Sequence, residues 1–254
     1  MKVVLLNGSP RKGNSLEILL KVEKYLHEKQ IDTEIINLND FNIKYCIGCY
    51  KCVLVGQEKC SLKDDLPQIW KKIIDADGVV LASPVYTLSV PGILKNFMDR
   101  VGYAAHRPEM YNKPALILST TSGIGTRIVI MQLKWFELVG LNIVASKGFL
   151  VFPTGKDRSK VAAKKDKDIE KLVAKLESKL NTKKLQKPSL IQVISFNVFK
   201  LKSTFGKDAY RADYEYYKDK TYHINIKINP IKKLFGKIVF KLGMIALSKS
   251  IIKK

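Results

Sequence analysis

The chain has 254 residues, 46% hydrophobic and 27% charged, with 45 Lys+Arg against 23 Asp+Glu for a formal net charge of +22. That apolar content excludes a disordered chain and suits one α/β domain plus an appendage, because single cores rarely grow past about 250 residues before splitting. The positive excess is concentrated late, with 17 Lys+Arg and 4 Asp+Glu in residues 181–254, which implies an anionic partner (a membrane surface, nucleic acid or an acidic protein) unless the lysines are simply solvated.

The apolar run at the amino terminus, VVLL, ends in a glycine turn and is too short for a secretory leader. No uncharged apolar stretch reaches the ~18 residues that would span a bilayer. A cytoplasmic protein is expected, and in that compartment clustered cysteines favour metal or redox chemistry over structural disulfides.

In chain order, residues 2–8 (KVVLLNG) form a continuous β-branched and leucine run, as expected of a buried parallel strand. Residues 15–30 carry a helical apolar stripe, and residues 31–38 read as a second strand. A helix is predicted over 66–77, a strand over 78–86, and a helix over 91–104 with Pro91 near its first turn. A strand over 113–123, a helix over 126–140, a strand over 141–151 and a polar-faced helix over 159–180 complete the alternation. Strand–helix alternation with short connections implies right-handed crossovers and a sheet covered on both faces. Five such strands predict an α/β, flavodoxin-like three-layer sandwich with a parallel sheet, since a closed barrel needs eight.

Ligands of open α/β sheets lie beyond the carboxyl ends of the strands. The first such loop is NGSPRKGNS (7–15). Gly8 and Gly13 allow tight turns, Ser9, Asn14 and Ser15 offer short hydroxyl and amide donors, and Arg11 and Lys12 supply charge. All of these precede a helix amino terminus that attracts anions. The competing reading is a polar turn with Asn14 or Ser15 as helix cap. At the next loop Pro84 and Val85 leave a strand end and Tyr86 offers a ring; STTSGIGT (119–126) is a small-residue loop. Together the three suit a phosphate-tailed aromatic cofactor. No carboxylate pair or Ser–His–Asp set points to hydrolysis.

All four cysteines, Cys46, Cys49, Cys52 and Cys60, stand in one loop with spacing C-x2-C-x2-C-x7-C. Thiolates so spaced can converge on a soft metal centre; zinc, a redox dithiol and unliganded thiols are the alternatives. The loop lies between a strand and a helix, which places it at the carboxyl end beside the expected cofactor. His106 falls in a loop expected to border that cofactor; His27 reads as exposed, and His223 lies in the tail.

The segments GSPRKGNS (8–15), SPVYTLSVPGILKNFMDR (83–100) and the cysteine loop followed by KDD (63–65) resemble the NADPH-dependent FMN reductase superfamily, and within it the iron–sulfur flavoprotein branch. The likeness covers about residues 1–180. It implies noncovalent FMN, NAD(P)H or a ferredoxin-like protein as donor, and a homodimer or homotetramer. It implies that Ser9, Arg11, Asn14 and Ser15 hold the FMN phosphate. Pro84, Val85 and Tyr86 would then line the isoalloxazine, with Thr121, Ser122 and Gly123 at its other edge. The flavin N5 carries the hydride chemistry, so no catalytic side chain is expected. The cysteine motif of that branch ligates a four-iron, four-sulfur cluster, here through Cys46, Cys49, Cys52 and Cys60. Asp99 and Arg100 read as a structural pair. A flavodoxin-like electron carrier without its own substrate, and a membrane-surface adaptor on the same scaffold, are the rival functions.

Residues 189–254 form a basic, mostly helical extension of the 1–180 domain. A helix is predicted over 189–202 and a strand or extended wrap over the tyrosine-rich 210–230. A helix over 230–254 places Ile231, Leu234, Phe235, Ile238, Leu242 and Ile245 on one stripe among lysines. That is the form of an interfacial membrane or partner-docking helix; packing on its own domain or across a dimer is the alternative. No nucleic acid is expected as partner.

Overall fold

The structure is a computed structural model. It describes residues 1–151, 159–182 and 185–252, with side chains of the helices at 159–180 and 230–252 described from residue 163 and up to residue 245. Strands β1 (Lys2–Asn7), β2 (Asp32–Asn37), β3 (Gly78–Pro84), β4 (Pro114–Thr121) and β5 (Asn142–Leu150) form one parallel sheet in the order β2-β1-β3-β4-β5. Helices α1 (Asn14–His27), α3 (Leu66–Asp75), α4 (Gly92–Arg100), α5 (Thr126–Leu133) and α6 (Ser159–Leu180) are its crossovers and flank, and α2 (Lys51–Leu54) is one turn within the cysteine loop.

The central strands show why both sheet faces are covered. Successive side chains point to opposite faces. Val4 and Leu6, Val79 and Leu81, and Ala115 and Ile117 pack with α3, α4 and α5. The residues between them, Val3 and Leu5, Val80 and Ala82, and Leu116 and Leu118, pack with α1 and α6. Both faces are apolar, so the strands read as unbroken hydrophobic runs.

Two helices end earlier than their apolar stripes. α4 stops at Arg100 and continues as a 3-10 turn over Gly102–Ala105; α5 stops at Leu133 and tightens over Lys134–Glu137. The apolar residues there remain buried in the tighter turns, so hydrophobic spacing overruns the α-helix proper.

The extension holds α7 (Leu190–Phe205), α8 (Arg211–Tyr217) and α9 (Pro230–Ile252). A capping box, with Ser189 and Gln192 each bonding the other's backbone N–H, opens α7. Residues 211–217 are helical and not a strand. Asp213 and Tyr217, four apart on one helix face, are both buried, and that burial overrides the β-preference of the tyrosines. Val193, Phe196, Tyr217 and Tyr222 form a third apolar cluster, joined by Tyr111 of the sheet domain. The extension meets the loops that enter β4 and β5. The Gln192 amide donates to the Glu137 carbonyl at 2.8 Å, and Gln186 N–H donates to Asn112 Oδ1 at 2.7 Å. It therefore sits at the amino end of the sheet.

Candidate active site

At the opposite, carboxyl end, the loops after β1, β3 and β4 enclose one crevice of about 100 Å³. Ser9, Arg11, Asn14 and Ser15 form one wall; Pro84, Val85 and Tyr86 face Thr121 and Ser122 on the others. Nine of the ten residues anticipated for a cofactor thus come together. Gly123 does not line the crevice. Its N–H is turned back onto Thr121 Oγ1 at 3.1 Å, and no atom within 4 Å would crowd a side chain there.

The Ser9–Ser15 wall is built from the backbone upward. Gly8 donates to the Ala82 carbonyl at 2.8 Å, and a Cβ there would sit 2.5 Å from the Leu94 side chain and 3.2 Å from the Ala82 carbonyl oxygen, so glycine eases the close approach to β3. Asn7 Oδ1 then accepts the Ser9 N–H at 3.2 Å, and Ser9 Oγ accepts the Arg11 N–H at 3.3 Å. The α1 cap is Gly13, with no side-chain cap bond, so neither Asn14 nor Ser15 serves as the cap. The first N–H groups of a 14-residue helix therefore open onto the crevice with the positive end of its dipole. Lys12 is turned away to Asp40 at 3.0 Å, leaving Arg11 as the crevice cation.

The facing wall, at Tyr86, is strained. Tyr86 and Ser89 exchange backbone hydrogen bonds across a two-residue turn in which Thr87 (φ 49°) and Leu88 (φ 57°) are both left-handed. A β-branched residue there costs about 1 kcal/mol or more, and the turn holds Tyr86 39% exposed at the crevice mouth. Gly125 (φ 103°) packs against Val85 and Leu88, locking the second and third loops together.

Two lining residues lay outside the sequence reading, Thr120 and Val151. Thr120 Oγ1 and Ser15 Oγ share a buried 2.8 Å hydrogen bond that ties β4 to α1. Val151 follows β5, and the strand-end rule applied to the fifth strand points to it.

The cysteine loop does not border the crevice. It runs along α4, which leads from the carboxyl end of the sheet back toward the amino end. Asn96 accepts the Cys46 N–H at 3.1 Å and donates to the Ile43 and Lys44 carbonyls. Arg100 donates to the Lys44 carbonyl at 2.7 Å and forks onto Asp64, with side chains only 3% and 0% exposed. Arg100 therefore pairs with Asp64, and Asp99 pairs with Lys95 at 2.5 Å, not with Arg100. Burial pushes the Asp64 carboxyl up, but Arg100 and the backbone N–H groups of Lys44 and Leu66 outweigh it and hold it below the usual range.

Further on, Arg107 donates to the Cys52 carbonyl at 2.5 Å and the Val53 carbonyl at 3.3 Å, and pairs with Asp213 of α8. His106 bonds the same carboxylate at 2.7 Å and stacks on Phe199 at 3.8 Å, so it serves the extension and not the crevice. His27 is exposed and bonds Thr33; His223 is half-buried among tyrosines, and desolvation there lowers its pKa to about 3. Cys46 and Cys49 are exposed, and Cys52 and Cys60 are half-buried beside a cavity of about 550 Å³ that Trp70 and Tyr103 also line. Among the described residues, no three His, Cys, Asp or Glu side chains converge as a metal-holding group. The thiols match an iron–sulfur centre in donor chemistry but not in convergence.

A doubly wound parallel sheet whose strand-end crevice pairs an uncapped helix amino terminus with an exposed tyrosine defines a flavin-type nucleotide-binding protein. Residues 1–156 match the family model of NADPH-dependent FMN reductases, and the chain belongs to that family, in its iron–sulfur flavoprotein branch. It is thereby an enzyme of the NAD(P)H-dependent flavin oxidoreductase class. An iron–sulfur flavoprotein of Archaeoglobus fulgidus is 29% identical over 227 residues, covering 87% of this chain and 99% of its own. One from Clostridioides difficile is 31% identical over 200 residues, covering 77% and 86%. The FMN-dependent NADH-azoreductase of Bacillus anthracis, solved with FMN, shares the fold with a TM-score of 0.53 at 17% identity, over 69% of this chain and 98% of that one.

Proposed function

We propose that the chain binds FMN in the crevice at the carboxyl end of the sheet and passes electrons from NAD(P)H to a small diffusible acceptor. Ser9, Asn14, Ser15 and the α1 amino terminus donate to the phosphate, and Arg11 neutralises it from the solvent side. Pro84, Val85 and Tyr86 flank the ring, with Thr121 and Ser122 at its edge. Bound flavin supplies the hydride chemistry; the chain's residues orient it and leave one face open to the donor. The observation that carries this reading is the meeting of three strand-end loops at the uncapped α1 amino terminus. Titrating apoprotein with FMN tests it. Fluorescence quenching that saturates near one equivalent, followed by NADPH or NADH oxidation with a quinone as acceptor, is expected. Saturation without turnover would make the chain an electron carrier, and no saturation would overturn the assignment.

Two further parts belong to the proposal. Cys46, Cys49, Cys52 and Cys60 hold the iron–sulfur cluster, a reading supported by their all-thiol donor set and by the names of the relatives. The loop would close around the inorganic core, and anaerobic iron and sulfide analysis near zero would remove it. The protein is also a cytoplasmic homodimer or homotetramer. Support for self-association comes from Tyr86, Leu88 and Ile124, exposed apolar residues on the two loops that Gly125 locks together, and from the exposed Ile128 and Met131 of the adjoining α5. Sedimentation of Ile124→Glu beside the unaltered chain checks it.

A further inference from the structure

α9 is apolar on both faces. Such a helix is normally buried all round. Here one face packs on α7 through glycines: a Cβ at Gly236 would sit 2.5 Å from Asn197, and one at Gly243 would sit 2.3 Å from Leu201. With the small residues turned inward, the large ones face out. Ile231 (65%), Leu234 (58%), Phe235 (50%), Ile238 (44%) and Leu242 (61%) are exposed and recur at one helical stripe. Lys233, Lys237 and Lys241 are exposed beside it and make no ion pair among the described residues. Lys233 and Lys237 also rim an apolar groove of about 520 Å³ floored by Phe196, Tyr222 and Phe240.

We infer that α9 docks on an anionic lipid surface, laying the stripe among the acyl chains with its lysines at the headgroups. The charge decides the occupant. α9 carries no acidic residue. Two of the four acidic residues of the extension are already engaged, Asp213 by Arg107 and Glu215 by Lys218. A second copy meeting this face would bring lysines against lysines, whereas an anionic bilayer complements both the stripe and its border. The binding is peripheral, because among the described residues no helix is long and apolar enough to cross a membrane. The extension sits at the amino end of the sheet, so docking leaves the crevice at the far end open to solvent.

The test uses the full FMN-loaded chain in vesicle co-sedimentation, with phosphatidylcholine alone or with 30% phosphatidylglycerol as the probe surface. Binding to the anionic vesicles, weakened by salt and slight on the neutral ones, is expected. Lys233→Gln, Lys237→Gln and Lys241→Gln should each lower partitioning by about fivefold. Phe235→Ser with Leu242→Ser should abolish it while FMN absorbance stays unchanged, which separates lost docking from lost folding. Equal sedimentation with both vesicle types, or indifference to both sets of substitutions, would overturn the inference. So would a concentration-dependent dimer that Phe235→Asp dissociates.

Discussion

At the carboxyl end of the sheet, the crevice is shaped by backbone: Gly8 pressed against β3, a left-handed turn at Thr87 and Leu88, and a helix terminus left uncapped. Along α4 and toward the amino end, the cysteine loop and the extension are held by side chains: Asn96, Arg100–Asp64, and Arg107–Asp213. The first region is preformed by the parallel sheet and loses little when a polar side chain is cut back. The second depends on buried charges whose desolvation is offset only while both partners are present.

The largest effect separating the two regions should come from Asp64→Asn. It leaves the Arg100 guanidinium buried with no counter-charge and should cost about 3–5 kcal/mol in urea denaturation, with the cysteine loop becoming protease-sensitive. The folded-state pKa of Asp64 lies below its ordinary value, so its contribution is complete above the ordinary carboxylate range. It is lost as pH falls through the lower folded value. The unaltered protein should therefore lose stability below about pH 4, and the variant should show less of that loss. Asp213→Asn should cost about 3 kcal/mol and speed amide exchange both in α8 and near Cys52, while FMN affinity stays within twofold. A large loss of FMN binding in either variant would break the separation.

Arg11→Gln addresses the other region. Removing one charged hydrogen bond to phosphate should weaken FMN by about tenfold to a hundredfold in equilibrium dialysis, with the melting temperature of the apoprotein unchanged because Arg11 is exposed. The smallest effect is a gain. Thr87→Gly relieves a β-branched residue at φ 49° and should raise stability by up to about 1 kcal/mol in thermal denaturation.

The crevice was legible in the sequence because its residues follow strand ends, and strands buried on both faces announce themselves as apolar runs. Thr120 escaped because its role rests on a hydroxyl 105 residues earlier, Ser15. The path of the cysteine loop was not legible. It is set by Asn96, Arg100 and Arg107; in sequence Asn96 and Arg107 read only as polar positions on or after a helix, and Arg100 read as the partner of Asp99. Nothing local shows that they grip a segment some 50 residues upstream. The same limit explains His106, whose placement depends on Asp213 across 107 residues. The α8 helix was hidden by its tyrosines, whose burial against the 102–112 loop decided the outcome over their intrinsic preference.

Arg107 lies inside the family-matched residues 1–156, but the carboxylate that balances it lies outside them. A version trimmed back to the matched portion would keep Arg107 on the Cys52 and Val53 carbonyls but lose the carboxylate that neutralises it. Excising the tail should therefore disturb Cys52 before it disturbs the distant nucleotide crevice, and the appendage acts as a keel for the cysteines.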